Sequence, residues 1–100
     1  MANTYELHPR FDSRKSFYGK ARVLEADDGL TILQSYDTNV CSIDAAGNFH
    51  RHWSGESATT MRHVNEFIRQ HGIPGGGVAW WRELPVEPLN YLYLNAYFSA

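Results

Sequence analysis

Trp53-Ser-Gly-Glu-Ser-Ala-Thr-Thr-Met-Arg-His-Val-Asn-Glu-Phe-Ile-Arg-Gln-His-Gly-Ile-Pro74 holds a helix start signal, an apolar stripe and a stop signal in one stretch. The hydroxyl of Ser57 or Thr59 can accept from the unpaired N–H groups of a first turn, and Glu56 places negative charge at its positive end. Met61, Val64, Phe67 and Ile68 recur at three- and four-residue spacing, whereas Arg62, Glu66, Arg69 and Gln70 fall elsewhere. Gly72 suits a left-handed cap, Ile73 can fold back on Ile68, and Pro74 forbids continuation. The pattern predicts one main helix over about residues 57–71, whose single apolar face must be covered by the rest of the chain.

The cover reads as strands. Residues 1–15 mix polar and aromatic side chains with Pro9 and show no sustained period, which predicts an irregular N-terminal arm. From Ser16, Phe17, Gly19, Ala21 and Val23 alternate with Tyr18, Lys20, Arg22 and Leu24, so one face is apolar and the other largely basic. Asp27-Asp28-Gly29 is a turn signal before the β-branched and aromatic run 30–36, and Asp37-Thr38-Asn39 suits a bend or bulge. Residues 40–44 and 49–53 read as two more strands around a loop in which Gly47 supplies a positive φ. In the last strand Phe49, Arg51 and Trp53 share one face, and His50 and His52 the other, outward one.

Residues 78–84, after the Gly75-Gly76-Gly77 joint, are too short to assign between helix and strand. Beyond Pro85 and Pro88, Tyr91 and Tyr93 alternate with Leu92 and Leu94, which favours a strand. The expectation is an α+β fold, an antiparallel sheet of four to five strands with the helix on one face. A ββββα core would span 16–84, and an aromatic extension 85–100.

One hundred residues suffice for one domain with a modest core, and 43% hydrophobic with 20% charged residues is a globular composition. A formal charge of −2 excludes a strongly basic nucleic-acid binder and an acidic mimic of nucleic acid alike. The lone Cys41 and the lack of a charged-then-apolar leader point to the cytoplasm. No run reaches the roughly 18 apolar residues of a membrane span.

Ser35-Tyr36-Asp37-Thr38-Asn39-Val40, Gly47-Asn48-Phe49-His50-Arg51-His52-Trp53 and the run 55–67, with Ser57-Ala58-Thr59-Thr60-Met61-Arg62-His63 its most specific part, stand in that order after Phe17-Tyr18-Gly19-Lys20-Ala21. In these segments the chain resembles a family of small uncharacterised proteins and domains of phages and mobile elements of Firmicutes, a domain of unknown function. The resemblance runs from near Ser16 to about Pro85. It implies a context and carries no catalytic assignment.

Four constellations bear on function. His50 and His52 share a strand face, and His63 on the helix, with Cys41 or Asp44, could complete a metal set. No Cys-x-x-Cys or His-Glu-x-x-His spacing supports it, so surface histidines are the plainer reading. Cys41, between Val40 and Ile43, reads as a small buried hydrophobe rather than a nucleophile. No paired carboxylates, phosphate loop or cofactor fingerprint occurs, so neither enzyme activity nor a cofactor is expected.

Arg14, Lys15, Tyr18, Lys20 and Arg22 interleave cations with aromatics, as single-strand-binding sheets do; the plainer alternative is a solvated strand. Trp80, Trp81, Arg82, Tyr91, Tyr93 and Tyr97 are hot-spot residue types and suggest a protein-binding surface or a homodimer through the C-terminal edge. The leading expectation is a non-catalytic phage or mobile-element protein that binds a host or phage protein complex, an inhibitor of a host defence complex such as a CRISPR nuclease. A nucleic-acid-binding accessory protein using residues 17–22 is the alternative.

Overall fold

The computed structural model describes residues 3–89. Five antiparallel strands, β1 (Asn3–Glu6), β2 (Ala21–Glu25), β3 (Thr31–Ser35), β4 (Thr38–Ile43) and β5 (Phe49–Arg51), lie in the sheet in chain order. They are followed by helices α1 (Ala58–Gln70) and α2 (Val78–Glu83). The fold is α+β, with one main helix on a sheet of five strands.

Each connection follows from local chemistry. Gly29 at φ 93° closes the β2–β3 turn with its N–H on the Ala26 carbonyl. Gly47 at φ 88° does the same with Asp44 between β4 and β5, where the Asp44 carboxylate also accepts from the N–H groups of Ala46 and Asn48. Between β3 and β4 only Tyr36 and Asp37 intervene, and a register shift beside Leu33 and Gln34 lets both Val40 and Cys41 reach the core. Helix α1 starts at Ser57, whose hydroxyl accepts from the Thr60 N–H at 3.3 Å. It ends as expected: Gly72 sits at φ 69° and the Ile73 N–H returns to the Ile68 carbonyl at 2.9 Å.

Alternation puts Val23, Leu33, Cys41 and Ile43 on the sheet face that meets Met61, Val64, Phe67 and Ile68 of α1. Trp81 of α2 completes this core; its indole N–H donates to the Gly55 carbonyl at 2.7 Å. Arg51 is buried on the same face. Its guanidinium donates to the carbonyls of Trp53, Ser54, Trp81 and Leu84 and lies 4.7 Å from the centre of the Trp81 ring. A single side chain thereby fixes α2 and the approach to α1 against the sheet edge.

Two expectations need correction. Asn3–Glu6 lies inside the expected irregular arm but pairs with β2; an edge strand exposed on both faces has no apolar alternation to read. Residues 16–20 do not extend β2 but turn back, with the Lys20 N–H on the Phe17 carbonyl and Tyr18 and Gly19 at φ 53° and 73°. Residues 78–83, open between helix and strand from sequence, are helical. Past the expected core, Val86 forms a parallel bridge to Arg51.

Loop 8–20 is tied to α1 by Glu66, which is 2% exposed. Its carboxylate accepts from the N–H groups of Phe11 and Asp12 at 2.9 and 2.8 Å and from the Gln70 amide at 2.6 Å. Burial pushes its pKa up, but these donors outweigh burial and hold it below the ordinary glutamate value. A carboxylate with a folded-state pKa below its unfolded one stabilises the fold fully above the unfolded value, and that contribution is lost as pH falls through the folded one. The melting temperature should therefore drop on acidification below about pH 4.5, and Glu66→Gln should flatten that drop while lowering stability at pH 7, as a thermal scan across pH will show.

Candidate functional site

The segments 14–20, 35–36 and 58–63, far apart in sequence, meet at one cleft of about 330 Å³ beside the start of α1. Its walls include Arg14, Phe17, Tyr18, Lys20, Tyr36, Ala58, Thr59, Arg62 and His63. Three of the four segments that carry the family resemblance contribute to the cleft; the fourth, residues 47–53, does not. What brings them together is buried polar chemistry: Ser35 of β3 bonds the Thr60 hydroxyl at 3.0 Å and His63 Nδ1 at 2.8 Å. All three side chains are buried, and the His63 ring packs 4.6 Å from Phe17, centre to centre.

Two aromatics flank the cleft in a costly way. Tyr18 and Tyr36 have φ of 53° and 55°, where bulky side chains are rare, and remain 78% and 51% exposed. A residue held in such a region costs about 1–3 kcal/mol, and here burial of the ring offsets little of it. Lys20 Nζ stands 5.7 Å from the Tyr36 ring centre. Arg62 is part-exposed and pairs with Asp12 at 2.9 Å, and the Glu6 carboxylate accepts from the Gly19 N–H at 2.7 Å, so the lining cations Arg14, Lys20 and Arg62 stand against these two carboxylates. The first turn of α1 carries no acidic residue to neutralise its N–H groups.

Of the expected basic set, Arg14, Tyr18 and Lys20 line the cleft. Lys15 is exposed beside it. Arg22 is not part of it: between the core residues Ala21 and Val23, it points to the opposite face of the sheet. Tyr36 and Arg62, which also line the cleft, lie outside that basic set. The positive φ of Tyr36 follows from a two-residue hairpin, a position glycine usually fills, and only the pairing of Ser35 with Thr38 exposes that.

The histidines do not form one set. His63 lies under α1, while His50 and His52 face the other side of the sheet, as the alternation predicts. Among the described residues no three His, Cys, Asp or Glu side chains are grouped so as to hold a metal ion. Instead His50 and His52 fasten the segment after α2. His50 lies between Asp44 at 2.9 Å and Glu87 at 3.0 Å. His52 Nδ1 donates to the Glu87 carbonyl and Nε2 accepts from the Ser42 hydroxyl, both at 2.7 Å. A cavity of about 470 Å³ opens beside this strap, over Leu30, Ala45 and Leu89. Its hydrogen-bonding groups largely serve one another, which is the economy of a structural clasp. Cys41 is buried, and burial pushes its thiol pKa well up, away from nucleophile chemistry.

The aromatic surface expected at the second helix is reduced. Trp81 is 0% exposed and belongs to the core; Trp80 is half-buried against Phe49, and Arg82 is exposed but paired with Glu56. Tyr91, Tyr93 and Tyr97, and the homodimer edge expected there, lie outside the described residues.

The Asp44 hydrogen bond, more than the loss of solvent, raises the pKa of His50, and Asp44 itself is lowered to about 2, chiefly by His50. Burial lowers His52 and His63. In a proton-resolved NMR titration His50 should therefore titrate above 6.5, the ordinary value, and His52 and His63 below it. Asp44→Asn should move His50 down and leave His63 unchanged.

Among the described residues no helix is long and apolar enough to cross a membrane. No curated protein and no solved structure matches the chain. The model of a family of unknown function, DUF8033, matches residues 5–83, which takes in the second half of β1, β2 to β5, α1, α2 and every segment of the cleft. The chain belongs to that family.

Proposed function

We propose that this protein is a non-catalytic binding module whose cleft at the start of α1 takes single-stranded nucleic acid. The observation that carries the reading is the pair of exposed tyrosines held at positive φ in the cleft that Arg14, Lys20 and Arg62 also line. Stacking on exposed rings plus cations that follow a phosphate backbone is how unpaired strands are held, whereas a duplex hides its base faces. A net charge of −2 is compatible with this because the excess positive charge is local. A phage or mobile element of Firmicutes is the proposed context, and the role there is accessory.

Inhibition of a host defence complex, such as a CRISPR nuclease, through protein contacts is the second reading. It draws on half-buried Trp80 and on Val86, which is 47% exposed. The first reading has more support, since Trp81 is spent on the core.

Fluorescence anisotropy with labelled single-stranded and duplex oligonucleotides tests the proposal. Single strands should bind more tightly than duplex. The logarithm of affinity should fall with the logarithm of salt at a slope of about −1.4, as for Arg14 and Lys20 on a single strand, Arg62 being held by Asp12. Lys20→Glu should flatten the slope, and Tyr36→Ala should weaken binding by roughly five- to hundredfold, the range of one lost stack. Equal binding of duplex, or binding indifferent to salt, contradicts it.

A further inference from the structure

A second, smaller notch of about 160 Å³ adjoins the cleft, lined by Phe11, Asp12, Asn65, Glu66 and Arg69. It has no part in the reading above. Phe11 is 57% exposed, and its backbone is fixed, since the Phe11 and Asp12 N–H groups both end on Glu66. The notch and the cleft share a wall: Asp12 lines the first, Arg62 lines the second, and the two side chains are paired at 2.9 Å. Arg62 and Arg69 stand seven residues apart on α1, on one face and roughly 10.5 Å apart along the axis. A stacked strand advances about 3.4 Å per phosphate, so that separation spans roughly three nucleotides.

We infer that Phe11 and Arg69 form a second subsite, in which a base further along the same strand stacks on Phe11 while Arg69 meets its phosphate. This inference rests on the proposed single-strand binding in the cleft and adds an extent and a direction, along α1 from its N-terminal end. The notch lining carries two carboxylates, Asp12 and Glu66, against the one cation Arg69. Glu66 is engaged by N–H donors and Asp12 by Arg62, so the ring supplies more of the subsite's affinity than Arg69 does. A base on an exposed ring is gained whatever its identity, and the subsite extends the grip without reading sequence.

A length series of oligothymidylates, from two to six nucleotides, titrated against the full chain tests it. Affinity should step up about tenfold between two and four nucleotides, the scale of one added stack, and then level off. Phe11→Ala should remove the step yet bind the dinucleotide as the unsubstituted chain does, and Arg69→Glu should shrink it. Phe11 is exposed, so its replacement leaves the core intact, which a thermal melt confirms. A smooth rise with no step, or a Phe11→Ala loss already present at two nucleotides, overturns the second subsite and leaves the cleft standing. Failure of the unsubstituted chain to bind any length overturns both.

Discussion

The arrangement depends on the buried contact of Ser35 with Thr60 and His63. A hydroxyl at the end of a central strand meets a hydroxyl and an imidazole from the first two turns of α1. Polar groups out of water are costly unless satisfied, and among the described residues no buried side-chain nitrogen or oxygen lacks a partner. Hydrogen bonds, unlike apolar contacts, are directional. They therefore fix the register of α1 along β3, and with it the position of the helix N-terminus against the Tyr36 turn and the 16–20 turn. The cleft is the geometric consequence of that register.

Backbone strain is placed beside this hook. The β3–β4 hairpin gives its first loop position to Tyr36, and the 16–20 turn gives a left-handed position to Tyr18, where glycine would relieve both. Neither ring is drawn into the core in return. The core has other sources of stability: Trp81 and Phe67 fill it, and Arg51 clamps the second helix through the Trp81 and Leu84 carbonyls and the approach to α1 through those of Trp53 and Ser54. Strain that does not serve packing is what a pre-set binding surface requires, because rings already held in place lose little entropy when a base stacks on them. On the far side of the sheet the polar groups follow the opposite logic. His50, His52, Ser42 and Asp44 are matched among themselves and to Glu87, and they secure a strap.

Much of the fold was legible because its signals are local. The Met61–Ile68 stripe, the hydroxyl at Ser57 and the Gly72 stop gave α1 to within a residue, and alternation separated Arg51 from His50 and His52. β1 was not legible: an edge strand with both faces in water has no period, and only its pairing with β2 reveals it. The strand drawn through Phe17 to Arg22 merged two structures, since a turn at Tyr18 and Gly19 shares the parity of a strand without its geometry. That merger cost Arg22 its place in the site and hid Tyr36 and Arg62, which come from other elements. Two buried polar residues did carry a signal. Ser35 is in phase with Leu33, and His63 lies four residues before Phe67, so both fall on apolar faces and call for partners there. Trp81 misled because adjacency to Trp80 does not say which ring turns inward.

The central claim is that binding takes place where α1 begins, on a surface set by the Ser35 hook. Chemical-shift mapping on isotope-labelled protein titrated with a short unpaired oligonucleotide addresses it most directly. Shifts confined to residues 14–20, 36, 58–63 and the Phe11–Arg69 notch are the predicted result. Shifts centred on the Glu87 strap or on Trp80, with the Tyr18 and Tyr36 turns unmoved, would contradict the account.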